Sequence, residues 1–142
     1  MLTEREMLNA LREKLETEEI FREIRILDNE IGYTALFEAL PDLTNFPAAI
    51  IATGEVMMEN GGYTSRTSID VIVIDTYYGN DAKTEESQNV LKKTTEALNC
   101  NGFAKPLCIN KVHYIFERIT KLFLGDEYLV WNIRLVAKAI NL

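Results

Sequence analysis

The residues able to do chemistry are few and scattered. His113 is the sole histidine, placed between Val112 and Tyr114. There it reads as a structural residue on a strand. Cys100 and Cys108 are the only cysteines; with one histidine they are too few for a zinc site, and a reducing cytosol disfavours joining them. Cys108 and His113 meet only if the chain bends between them, and neither sits in a nucleophile signature. Asp70 and Asp75 lie five residues apart on one strand, so they face opposite sides and form no carboxylate dyad by themselves. Asp75, Asp81 and Glu85 could gather near a loop around a hard cation, but their spacing is not that of a calcium loop, and a solvated acidic loop is the simpler reading. Ser65, Ser68 and Ser87 have no base nearby in sequence. Gly61 and Gly62 fall in a hairpin signal and open no helix, so they cradle no phosphate. This inventory predicts a non-enzymatic chain with no cofactor and no metal.

Charge carries more information. The net charge is −7, with a pI of about 4.8. A nucleic-acid binder usually presents a basic face, so no direct nucleic-acid partner is expected. The distribution is uneven. Residues 55–86 hold seven acids against two bases, and residues 103–142 hold three acids against six bases. Opposite signs at two places on one chain suit head-to-tail contact between copies. A length of 142 residues with 47% apolar and 26% charged residues fits one folded domain over 1–142. No apolar run approaches the roughly 20 residues of a membrane span. The first residues alternate charged and apolar types and do not read as a signal peptide. A cytosolic protein without membrane partners is the expectation.

The elements that must position these residues follow from periodicity. Residues 2–16 predict an amphipathic helix, with Thr3 and Glu6 as a capping box, Leu2 and Met7 as a staple, and Met7, Leu8, Leu11 and Leu15 on one face. Residues 20–27 are ambiguous, since Ile24 and Ile26 alternate like a strand while Ile20, Ile24 and Leu27 also fit a helix; a short strand or extended arm is the expectation there, and over 33–40 a short helix stopped by Pro41. Pro47 opens an apolar strand over 47–58, with Gly54 as a bulge. Asn60-Gly61-Gly62 turns the chain into a partner strand over 66–78. There Ile69, Val71 and Val73 point one way, and Ile72 and Ile74 the other, which predicts a central strand. A second helix is expected over 85–99, capped by Thr84 and ended at Gly102. Strands over 112–119 and 127–137 close the domain. In the last of these Leu129, Trp131, Ile133, Leu135 and Ala137 face inward. The expected fold is α+β: a mostly antiparallel sheet with two helices packed on one face and the other face open.

This order resembles the tail-terminator (minor tail protein) family of long-tailed bacteriophages, in its Mu-like and lambda-like forms. The segments that carry the likeness are the capped first helix, the phenylalanine-containing Glu19–Ile24 segment and the proline-led strand from Phe46 to Ala52 ending near Gly54. The long hairpin partner, the helix containing Val90-Leu91 and two closing strands complete it. The resemblance implies a ring, usually of six subunits, that caps the tail tube, ends its polymerisation and prepares head joining. Its partners would be further copies, the tail tube protein and head–tail connector proteins. It implies assembly in a bacterial cytoplasm and a final place in the virion tail. Charge and alternation assign the subunit interface to basic Lys121, Arg134 and Lys138, apolar Val130 and Val136, and acidic Asp75 and Asp81. Two other readings are a small α+β ligand- or protein-binding module with a pocket under Tyr77, Tyr78 and Trp131, and a hydrolase using Asp70 or Asp75.

Overall fold

The computed structural model describes residues 3–27, 45–76, 81–100, 105–124 and 127–140, with backbone alone for 81–84, 100, 105–106 and 122–124. Helix α1 spans Glu4–Thr17. Its start is the predicted capping box. The Glu6 amide donates to Thr3 Oγ1 at 3.1 Å, and the Thr3 amide donates to Glu6 Oε2 at 3.0 Å. Met7, Leu8, Leu11 and Leu15 are its buried stripe. Strand β1 is Glu23–Leu27 and β2 is Ala48–Glu59. A 3-10 turn at Asn60–Gly62 leads to β3, Thr64–Thr76. Asn60, Gly61 and Gly62 all have positive φ, of 53°, 67° and 94°, which explains an Asn-Gly-Gly sequence there. Helix α2 covers Asp81–Ala97, and the strands β4 (Asn99–Cys100), β5 (Lys105–Ile109), β6 (Val112–Leu124) and β7 (Tyr128–Ile140) follow.

The strands form one sheet in the order β1-β2-β3-β7-β6-β5-β4. β3 lies between β2 and β7, the central place its two-faced apolar pattern predicts. The β2–β3 register shifts between Thr53 and Val56, so the bulge falls at Gly54. A second shift, between Phe116 and Arg118, inserts Glu117 into β6.

The expected fold class is corrected at two points. First, β1 pairs with β2 in parallel, Glu23 opposite Ala48 through Leu27 opposite Ala52, so the sheet is mixed. Parallel neighbours cannot be joined by a tight hairpin and need a crossover of about a dozen residues or more; residues 28–47 supply that length. Second, the sheet has no open face along its whole length. One buried cluster joins Leu8, Leu11 and Leu15 of α1 to Ile69, Val71, Val73, Ile133 and Leu135. Ala48, Ile50, Ile72, Ile74 and Val130 form another, with Leu27, Phe46 and Tyr128 packed against it. Strict alternation along β3 and β7 sends successive side chains to these two clusters. A chain that buries both faces at one end is not a sheet with helices on one side and solvent on the other.

Smaller differences concern bounds. α2 begins at Asp81 rather than residue 85, and β6 runs on to Leu124 rather than ending at residue 119. β4 and β5 are additional to the expected elements. The short helix expected over 33–40 and the helix stop at Gly102 lie outside the described residues.

Candidate functional site

Strand register places the chemistry-bearing residues in rows across the sheet. In one row Met57 of β2, Arg66 of β3, Lys138 of β7, His113 of β6 and Cys108 of β5 are successive neighbours. A tight hairpin through Asn110 and Lys111, both at positive φ, makes the bend that sequence reading lacked. It brings Cys108 Sγ to 4.0 Å from His113 Nε2, with both residues exposed. Among the described residues no third group orients the imidazole, so the pair lacks the arrangement that activates a thiol. Arg66 makes a long ion pair with Glu59 at 3.5 Å. A shallow cavity of about 220 Å³ lies over this row, lined by Arg66, His113 and Lys138.

The next charged row is closed internally. Asp70 stands opposite Arg134. The guanidinium donates Nε–H to Oδ1 and Nη2–H to Oδ2, each at 2.9 Å. The Asp70 side chain is only 3% exposed, so this is a desolvated bidentate pair, the strong geometry for these two groups. The carboxylate proposed for a hydrolase is therefore a structural anion. Asp75 is buried and accepts the Thr76 amide at 2.8 Å. Among the described residues no group of three or more metal-ligating side chains comes together. The side chain of Asp81 lies outside the described residues, as do Tyr77 and Tyr78.

The residues assigned to a subunit interface do not form one patch. Val130 and Val136 are buried, at 0% and 9% exposure. Arg134 is held by Asp70. Lys121 stands over the Trp131 ring at 5.3 Å from its centroid, and Trp131 donates its indole N–H to Ser87 Oγ of α2 at 3.0 Å. That contact places Trp131, half-buried, against the helix-side cluster. Lys138 is exposed at the far end of β7. Of the charges in 55–86 and 103–142, Asp70 of β3 and Arg134 of β7 are paired within the chain, while Arg66 stands opposite Lys138.

Ile119 of β6 is 45% exposed; the other exposed large apolar side chains among the described residues sit at the hairpin end of the sheet. Past the bulge, Val56, Met57 and Met58 are 38%, 55% and 54% exposed, Tyr63 at the turn 65%, and Ile140 at the end of β7 67%. Val56-Met57-Met58 was legible as strand. Its exposure was not, because that depends on how far β1 runs beside β2. A separate open groove of about 530 Å³ lies between the ends of α1 and α2, lined by charged residues including Lys14, Glu18, Lys93 and Glu96. No described helix is long and apolar enough to cross a membrane. Comparison with protein-family models returns no match, and no curated protein matches the chain.

Proposed function

We propose that this chain is a structural tail protein of a bacteriophage or prophage, a ring that caps the tail tube, ends its polymerisation and prepares head joining. The observation that carries the reading is the exposed apolar β2–β3 hairpin. Four large apolar side chains at one end of a folded domain make a contact surface rather than a solvated one. The polar candidate residues give secondary support, since Asp70 and Arg134 pair with each other and Trp131 donates its indole N–H to Ser87. No reaction is assigned to the chain. Its partners in this reading are further copies, the tail tube protein and head–tail connector proteins. It acts in the bacterial cytoplasm during assembly and stays in the virion tail.

Deletion of the gene in the phage or prophage that carries it tests the reading, with particles viewed by electron microscopy. Tails of uncontrolled length without heads are expected. Tails of normal length joined to heads overturn it.

A further inference from the structure

The register leaves two sheet edges open at the same height. β1 pairs with β2 only as far as Ala52, so the outer edge of β2 from Thr53 to Glu59 has no strand beside it among the described residues. At the opposite side β4 pairs only with Lys105 and Pro106, which leaves the outer edge of Leu107–Ile109 open in the same sense. Tracing rows across the sheet aligns these edges. Val56 shares a row with Thr67, Ala137, Tyr114 and Leu107, and Met57 shares one with Arg66, Lys138, His113 and Cys108. Four antiparallel steps separate β2 from β5, so the two edge strands run in the same direction.

An open strand edge with apolar side chains is a template for another strand, and natural edges are usually blunted by lysine, proline or a covering element. β2 carries none of these between Val56 and Met58. On β5, Pro106 lacks an amide, which confines any addition to Leu107–Ile109. The flanking charges are opposite: Glu55 and Glu59 border the β2 edge, and Lys105 and Lys111 border the β5 edge.

From this we infer that copies of the chain join edge to edge, the outer edge of β2 in one copy pairing in parallel with the outer edge of β5 in the next. The inference rests on the ring reading above and names its contact. The occupant of the β2 edge is a second copy, because direction, height and flanking charge all match an edge the chain itself carries. The join uses unlike surfaces. It therefore repeats from copy to copy, giving a closed ring where the rotation between copies divides a full turn and an open filament where it does not, whereas β2 against β2 would stop at a two-fold dimer. It also covers Val56, Met57 and Met58.

Met57 and Cys108 lie in one row of the sheet, so the join places them side by side. Neighbouring strands sit about 4.8 Å apart, within the Cα span of a disulfide. The test is Met57→Cys in a Cys100→Ser background, oxidised with diamide and run on a non-reducing gel beside sedimentation of the same sample. A ladder of covalent oligomers that stops at one ring size is expected, and adding Cys108→Ser should abolish it. Covalent dimers that persist with Cys108→Ser show β2 against β2 and overturn the inference. Assembly without any cross-link overturns the edge contact and leaves the ring reading standing. A chain that stays monomeric at every concentration sinks both. Amide hydrogen exchange of the wild-type chain gives a reading free of substitutions. Amides at 56–58 and at 107–109 should both slow on assembly, and unchanged exchange at either edge in an assembled sample overturns the contact.

Discussion

At the scale of single residues, the Asp70–Arg134 pair sets the strongest expectation. The carboxylate is 3% exposed and holds both guanidinium bonds at 2.9 Å. Arg134→Ala leaves a buried carboxylate uncompensated, a change of about 3–5 kcal/mol in unfolding free energy. The double change Asp70→Leu with Arg134→Met should recover most of that loss. Urea titrations of the three variants check it, and a double variant as unstable as the single one would refute the account. Both residues were visible in the sequence as isolated charges, one a hydrolase candidate and the other an interface cation. Their partnership was not, because it requires the register of β3 against β7. Tyr114 gives a second expectation. Burial pushes its phenol from 10.0 up to about 12, with the charge of a Cys108 thiolate adding to the shift. Its hydroxyl donates to the Met7 carbonyl at 3.4 Å. The folded phenol keeps its proton where the unfolded one has lost it. Stability is therefore complete below about pH 10 and falls by about 3 kcal/mol as pH rises to about 12. Tyr114→Phe should lose this component of the alkaline decline, measured as the difference between the two unfolding curves across that range.

At the scale of elements, local signals were legible and pairings were not. The capping box, the bulge at Gly54 and the Asn-Gly-Gly turn are each fixed by two or three adjacent residues, and each stands where the sequence places it. Thr3→Ala removes one half of the cap and should lower stability by about 1 kcal/mol. Glu6→Gln keeps an acceptor at the third helical position and should lower it less. Thermal unfolding of both variants orders them, and an equal loss would show that charge at the helix start matters more than the reciprocal bonds. The strand β1 was ambiguous because Ile20, Ile24 and Leu27 fit a helical period as well as alternation. Its parallel partner could be chosen only once β2 had a neighbour on each side. β5 escaped notice because five residues containing a proline carry almost no period. With it went the bend that brings Cys108 to His113.

At the scale of the whole molecule, apolar burial and apolar exposure separate along the strands. The β1 end of β2, β3 and β7 is buried on both faces, while the hairpin end exposes Met57, Met58 and Tyr63. Sequence reading placed the contact surface on Val130 and Val136, which the two-faced core absorbs. It placed the basic contact on a set of which Arg134 is already paired. Apart from Ile119 of β6 and Ile140 of β7, the exposed large apolar side chains among the described residues are those of the hairpin, whose tip includes two long hydrogen bonds. The Tyr63 amide reaches the Asn60 carbonyl at 3.3 Å, and Asn60 Nδ2 reaches Thr64 Oγ1 at 3.3 Å, both long for hydrogen bonds. Gly61 and Gly62 bring no side chain to pack, and ordering them has the highest entropic cost of any residue type. The amides of Asn60 and Gly61 should therefore exchange faster in the dilute monomer than those of the flanking strands. The ladder of β3 and β7 beside them should be protected to the level of global unfolding. If the chain assembles into the ring proposed above, with the tip against a neighbour or the tube, exchange at the tip should slow while that of the central strands is unchanged. Strong protection of the tip in a monomer confirmed by sedimentation would mean that the hairpin is ordered by its own chain. Its exposed methionines and tyrosine would then need a different explanation from the contact proposed for them.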